Sequence, residues 1–250
     1  MNIQWTDERN KMGVDTLSAI LQILCLHGYR QSGDMFRSKL GSLRKVLKRH
    51  VEFVFVTAPH RIPLADVLSS TDGENAERVD QFGWWFSEAD GTFRSKQHSD
   101  VSLGLEDSLR LVEEACRQHA PIHGVLAFSQ GASLAGMLCL LQEQKCLNFK
   151  FDFAILVAGF VSQCSLHEKY YSGQVSIPTL HVIGETDSVI PKEMSEALMA
   201  HFKDPVVLAH PGGHFVPATG ELRSAYVAFI EARLQELAVC LSDTSEAEQL

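Results

Sequence analysis

Six short apolar runs, separated by amphipathic stretches, constrain the fold of this chain more than any other feature. They cover 19–26, 51–56, 123–128, 151–157, 179–183 and 206–209. Each run ends within two residues of a glycine or a polar residue. Short runs that are apolar on both faces are typical of strands buried inside a parallel sheet. The sequence therefore predicts a mostly parallel central sheet.

Helical patterns fill the intervals between these runs. The segments 32–50, 106–119, 132–145, 192–203 and 221–237 carry apolar residues at helical spacing, and Ser32 is suited to cap the first of them. Alternation of strands and helices predicts an α/β fold with helices on both faces of the sheet. With 250 residues and 45% hydrophobic content, the chain is expected to form one domain, followed by a polar tail over 238–250.

A long polar region interrupts the alternation. Residues 60–104 show no clear periodicity but contain two of the three tryptophans. A loop of this length inside a compact domain is usually functional or disordered, and the tryptophans argue against disorder. Because it follows a strand, we expect it near the carboxyl edge of the sheet, where open α/β sheets build their sites.

The third apolar run leads directly into a serine flanked by small residues. Ala127 and Gly131 stand two positions before and after Ser129, and a helical pattern follows at once. This is the pattern of a nucleophile elbow, although glycine is more usual than Ala127 at its position. The alternative is an ordinary strand-to-helix turn in which the Ser129 hydroxyl caps the helix.

An acid and a histidine follow in the order that α/β-hydrolases use. Asp187 comes after the fifth run and His214 after the sixth, each on a loop at the expected carboxyl edge. A serine hydroxyl needs a nearby base, and the base needs an orienting acid. The sequence thus predicts a triad of Ser129, Asp187 and His214.

Other residues compete for these roles. Glu185 is an alternative acid, and His210 is an alternative base, although it lies at the end of a strand. Asp187 or Ser188 could simply cap the following helix.

A tetrahedral intermediate also needs hydrogen-bond donors for its oxyanion. The backbone N–H groups of Gln130 and Tyr29 are the candidates, because Gly28 lets the loop after the first run approach closely. The His27 ring is expected to hold that loop rather than to act as a base.

Composition excludes several other classes of function. The 22 basic and 31 acidic residues give a net charge of −9, which argues against nucleic acid and anionic membranes as partners. No metal-ligand spacing or phosphate-binding loop is present, so no cofactor is expected. The six cysteines lack the C-x-x-C spacing, and no apolar stretch resembles a signal peptide or a membrane span. A cytoplasmic location, with access to the nucleus, is the expectation.

Five segments together resemble the FSH-type serine hydrolase family of the α/β-hydrolase superfamily. They are 27–32, 82–86, 127–132, 184–187 and 211–217, and the resemblance extends over about 19–237. It implies an α/β-hydrolase fold, esterase activity with Ser129, Asp187 and His214 in the triad roles, and a preference for long apolar acyl chains. It also marks 1–18 as an N-terminal extension.

The sequence hypothesis is a carboxylesterase that acts on a small-molecule ester through an acyl-enzyme on Ser129. Aromatic residues near the expected site could form an apolar slot for the substrate, although such rings could instead pack the loop onto the core; they are Phe82, Trp84, Trp85 and Phe215. The alternatives are an acyl-protein or acyl-CoA thioesterase and a ligand-binding protein on a lapsed hydrolase fold.

Overall fold

A computed structural model describes residues 20–63 and 80–247 of the chain. The predicted extension over 1–18 and the residues 64–79 of the long region lie outside the described residues. Within the described residues, the central sheet has six parallel strands: β1 (Leu21–Leu26), β2 (Val51–Val56), β5 (Gly124–Phe128), β6 (Phe153–Val157), β7 (Thr179–Gly184) and β8 (Val206–His210). Their order across the sheet is β2-β1-β5-β6-β7-β8. The predicted parallel sheet is confirmed.

Helices cover the sheet on both faces. They are α1 (Gly33–Lys39), α2 (Gly41–Leu47), α3 (Leu105–Gln118), α4 (Gln130–Glu143), α5 (Lys192–Met199) and α6 (Gly220–Ala247), with a 3₁₀ helix at Ser165–Tyr170. Side chains of α1, α2 and α6 bury one apolar cluster, and those of α3, α4 and α5 bury the other. The two clusters lie on opposite sides of the strands, which is the α/β architecture expected from the alternation of elements.

The helix limits differ from those predicted, most clearly in the first and the last helix. The segment predicted as one helix over 32–50 divides at Leu40, whose backbone (φ −82°, ψ 9°) leaves helical values beside Gly41, a poor helix former. Ser32 caps α1, as expected, by accepting a hydrogen bond from the Met35 amide at 3.2 Å. The last helix, predicted to end at residue 237, continues to Ala247. No glycine or proline follows Gly220 to interrupt it.

The long region between β2 and α3 has little regular structure in its described part. Two short strands, β3 (His60–Arg61) and β4 (Phe82–Gly83), pair antiparallel outside the main sheet. The residues 82–86, here called the aromatic segment, then enter the core: Trp84 and Trp85 are fully buried. This region is therefore held by side chains in the core rather than by a sheet.

The parallel strands determine where the chain places its polar loops. His27, Ser129, Glu185 and Pro211 each directly follow a strand of the main sheet. Parallel strands end at the same edge, so these loops meet there. Among the described residues, no helix combines the length and apolar character that a bilayer crossing requires.

Candidate active site

Ser129 occupies a strained turn between β5 and α4. Its backbone has φ 54° and ψ −117°, values that a residue with a side chain rarely adopts, and its hydroxyl makes no capping bond to α4. The turn passes close to the end of β1: a Cβ at Gly131 would lie 2.5 Å from the carbonyl oxygens of Leu26 and His27, so only glycine fits there. Ala127 is fully buried in β5, where its methyl group is accommodated. The helix-cap alternative for Ser129 is therefore wrong.

A continuous chain of hydrogen bonds joins the three predicted triad residues. Ser129 Oγ lies 3.0 Å from His214 Nε2, and His214 Nδ1 lies 2.7 Å from Asp187 Oδ2. A carboxylate can only accept, so Nδ1 carries the proton and Nε2 is left to accept the hydroxyl proton of Ser129. The geometry is that of a nucleophile, a base and an orienting acid.

Asp187 is held as a buried carboxylate. Its side chain is 1% exposed, and its second oxygen accepts the amides of Val189 at 2.9 Å and Ile190 at 2.8 Å. Burial alone would raise the pKa of Asp187, but hydrogen bonds from His214 and these amides together lower it below its usual value of 3.8. The competing acid Glu185 is exposed to solvent.

The His214 ring is packed as well as hydrogen-bonded. It rests on the Phe128 ring with the centroids 4.7 Å apart. The competing base His210 is buried at the end of β8, where its ring meets Phe215, and burial lowers its pKa. His210 therefore packs beneath the loop that carries His214 and does not occupy the base position.

The loop after β1 approaches the nucleophile closely. A Cβ at Gly28 would lie 2.9 Å from the Phe128 ring and 3.3 Å from the Ser129 Cβ, so a larger residue here would force these neighbours to shift. His27 holds the loop through both ring nitrogens: Nδ1 donates to the Gly28 carbonyl at 2.7 Å, and Nε2 accepts the Ala58 amide at 2.9 Å. Burial lowers the pKa of His27 to about 4, so the ring is neutral. The structural role predicted for His27 is confirmed, while the oxyanion role of the Tyr29 and Gln130 amides stays a prediction.

The structure separates the four predicted substrate-binding rings. Trp84 and Trp85 lie wholly within the core, which contradicts their assignment to an open slot; the Trp84 indole N–H donates to the His27 carbonyl at 2.7 Å. Large rings in an apolar sequence context usually pack inside, and here that tendency prevails. Phe82 is half-buried, and Phe215 is 49% exposed beside His214, so their contact with substrate stays a prediction.

Two features of the site were not found from the sequence. Phe93 packs between the rings of Tyr29, Trp85 and Phe160, with centroids 5.3, 5.3 and 6.2 Å away. The Gln130 side chain, considered only for its backbone N–H, bonds to two residues of the aromatic segment. Both sets of contacts join residues that are far apart in the sequence, and one partner lies in the long region without periodicity. No sequence pattern therefore predicts them.

Within the described ranges, no group of three or more histidine, cysteine, aspartate or glutamate side chains is arranged to hold a metal ion.

Comparison with known proteins gives a consistent result. A family model described as serine hydrolase (FSH1) matches residues 17–226. The Esterase OVCA2 of Danio rerio is 49% identical over 224 residues, which are 86% of this chain and 99% of that protein. The Esterase CG5412 of Drosophila melanogaster is 46% identical over 217 residues, covering 86% of this chain and 75% of that protein.

Solved structures share the fold at low sequence identity. Arabidopsis thaliana SOBER1 has a TM-score of 0.58 at 17% identity and covers 86% of this chain and 100% of its own. Zea mays acyl-protein thioesterase 2 also has a TM-score of 0.58 at 17% identity, covering 87% of this chain and 95% of its own. These similarities establish the α/β-hydrolase fold.

Proposed function

Because the chain belongs to the FSH1 serine hydrolase family, we propose that it cleaves carboxylic esters through an acyl-enzyme on Ser129. The observation that carries the proposal is the hydrogen-bonded chain from Asp187 through His214 to Ser129. The esterase names of the relatives support the choice of an ester as substrate.

In the first half-reaction, Ser129 Oγ attacks the ester carbonyl carbon while its proton moves to His214 Nε2. Asp187, whose ionised form is favoured by the hydrogen bonds that lower its pKa, stabilises the imidazolium that forms. The carbonyl oxygen becomes an oxyanion, for which the amides of Gln130 and Tyr29 are the proposed donors. Collapse breaks the ester C–O bond, and His214 returns the proton to the leaving alkoxide, releasing an alcohol.

Water completes the cycle. It attacks the acyl carbon as His214 takes one proton, and the Ser129–acyl bond breaks. The serine regains its proton and a carboxylic acid leaves. No electron transfer occurs, and water is the only co-reactant.

We also propose that the acyl chain is apolar. Two exposed apolar side chains lie beside triad residues along the chain: Val189, two positions after Asp187, is 45% exposed, and Phe215, directly after His214, is 49% exposed. An apolar rim of this kind gains free energy by leaving water when it contacts an alkyl chain. A series of p-nitrophenyl esters should show kcat/KM rising with chain length, and Phe215→Ala should flatten that rise. An equal response to all chain lengths in the wild type would contradict an apolar site.

A fluorophosphonate probe tests the nucleophile itself. It should label the wild type and Ser188→Ala, in which an exposed neighbouring serine is removed, but not Ser129→Ala. Persistent labelling of Ser129→Ala would overturn the assignment. If the wild type is neither labelled nor active on any ester but binds an apolar acid, the chain is a binding protein on a hydrolase fold.

The ester and thioester hypotheses separate by a direct comparison. The triad attacks either carbonyl, so matched acyl chains must be offered as oxygen esters and as thioesters. A higher kcat/KM for the oxygen esters is expected, and a preference of more than about tenfold for the thioesters would instead identify a thioesterase.

A further inference from the structure

The side chain of Gln130 is completely buried and is paired at both ends with the aromatic segment. Its Oε1 accepts the Trp84 amide at 2.9 Å, and its Nε2 donates to the Trp85 carbonyl at 2.8 Å. A buried carboxamide left without partners would be costly, so these bonds fix the side chain in one place. The first residue of α4 is thereby tied to a segment more than forty positions earlier in the chain.

The aromatic segment in turn supports the loop that contains Tyr29. The Phe82 amide donates to the Gln31 carbonyl at 2.9 Å, and the Arg30 amide donates to the Phe82 carbonyl at 3.0 Å. Gly83 lies against the Tyr29 ring, because a Cβ there would be 2.9 Å from two ring carbons. The backbone around Tyr29 is therefore held directly by residues 82 and 83.

A third contact closes the arrangement. The Trp84 indole donates to the His27 carbonyl at 2.7 Å, and the same carbonyl faces Gly131 of the elbow. Residues 27–31 thus lie between the elbow on one side and the aromatic segment on the other.

We propose that the Gln130 carboxamide is a positioning residue that holds the two oxyanion donors at a constant separation. One donor is the backbone N–H of Gln130. The other is the N–H of Tyr29, whose loop is held by the same aromatic segment that the Gln130 side chain binds. This inference depends on the proposed hydrolase function. Donors to an oxyanion contribute most when they are fixed in advance, and displacements near 1 Å are costly.

The central variant is Gln130→Met, which keeps the backbone N–H and the length of the side chain but removes both bonds. We expect kcat to fall about 10- to 100-fold with KM changed less than about threefold, because the loss is confined to the transition state. The affinity for a boronic acid that mimics the tetrahedral intermediate should fall with kcat, while that for the product acid should not change.

Gln142 provides a matched control on the same helix. Its carboxamide also makes two backbone bonds, accepting the Phe151 amide at 2.7 Å and donating to its carbonyl at 2.9 Å, at the opposite end of α4. Gln142 is half-buried, so Gln142→Met should lower the free energy of unfolding by no more than Gln130→Met does, and it should leave kcat within twofold of the wild type. If both variants lose kcat equally, the role of Gln130 is only structural and the proposal is wrong.

A second variant covers the possibility that Gln130→Met fails to fold. In Gln130→Glu, a protonated carboxyl can accept from Trp84 and donate to Trp85 as the amide does, whereas the ionised form cannot donate. The ratio of its kcat to that of the wild type should rise at least fivefold between pH 8 and pH 5.5. A ratio that does not change with pH would overturn the proposal.

Hydrogen exchange reports on the arrangement without any substrate. Amides of residues 28–31 and 82–86 should exchange faster in Gln130→Met than in the wild type, and at the wild-type rate in Gln142→Met. If the wild type hydrolyses no ester, the hydrolase function fails while this measurement still tests the contacts. If the wild type is active and Gln130→Met retains its kcat, only the positioning role is wrong.

Discussion

The triad loops and the aromatic segment meet at the same edge of the sheet but are positioned by different forces. Ser129, Asp187 and His214 lie on short loops directly after strands, so the backbone hydrogen bonds of the sheet set their approximate positions. The residues 82–86 lie outside the main sheet and are held by buried indoles, by the Gln130 carboxamide and by backbone bonds to the loop at residues 30–31. The comparison shows that a reactive group can be placed by topology, whereas its electrostatic surroundings depend on side-chain packing.

The largest effect is expected at Asp187, which lies on one of the loops that the sheet positions. Asp187→Asn should lower kcat about 10⁴-fold, because the amide N–H₂ would face His214 Nδ1 and favour the wrong tautomer. Asparagine can still accept the Val189 and Ile190 amides, so the melting temperature should change little. Steady-state kinetics with Glu185→Gln as the control should show less than a twofold effect for the exposed neighbour. Equal losses in the two variants would contradict the assignment of the acid.

The next test asks how firmly the core holds the aromatic segment. Trp84→Ala should lower the free energy of unfolding by about 3–5 kcal/mol, because it empties a fully buried site. Trp84→Phe keeps much of the aromatic ring but loses the hydrogen bond to the His27 carbonyl, and this loss should lower the free energy of unfolding by about 1 kcal/mol. Urea unfolding measures both, with the half-exposed Phe215→Ala as a control expected to cost less than either. A negligible cost for Trp84→Ala would mean that the segment is loosely held.

Acid should weaken both regions through buried neutral histidines. Burial lowers the pKa of His27, beneath the triad loops, and of His167, against Trp85, to about 4 from a usual 6.5. Below pH 6.5 the unfolded chain binds protons that the folded chain does not, so stability is full above 6.5 and falls as pH decreases toward 4. For each of the two rings, the free energy of unfolding should fall by about 2 kcal/mol between pH 7 and pH 5.

Urea midpoints at the two pH values check this expectation. Replacing the exposed His98 by Gln should leave the pH dependence unchanged, whereas His167→Asn should reduce it. If the wild type is equally stable at pH 7 and pH 5, neither ring is held neutral in the folded state.

The smallest effect is expected where the long region touches the acid loop through an exposed side chain. Lys96 Nζ donates to the Ser188 carbonyl at 2.5 Å. Lys96→Met should cost less than about 1 kcal/mol, since exposed polar contacts contribute little, and should change kcat/KM less than threefold. A loss near that of Asp187→Asn would show that the long region positions the acid, and the distinction between the two regions would not hold.

Much of this architecture follows from local patterns. The six apolar runs predict the parallel sheet, and the order of Ser129, Asp187 and His214 after successive strands predicts the triad, because parallel strands must end at one edge. The division of the first helix at Leu40 and the continuation of α6 to Ala247 were not predicted. Helix limits depend on small differences in propensity that tertiary contacts easily outweigh.

The sequence by itself determined the class of fold, the placement of Ser129, Asp187 and His214 after strands that end at one edge, and the presence of glycine at positions 28 and 131 beside them. These depend on periodicity, chain order and backbone space, which are local properties. Only the tertiary structure decided that Trp84 and Trp85 are core residues, that His210 packs under the base loop, and that Gln130 binds the aromatic segment. Those outcomes depend on which side chains from distant parts of the sequence pack together, and a pattern within a short window of sequence does not predict such packing.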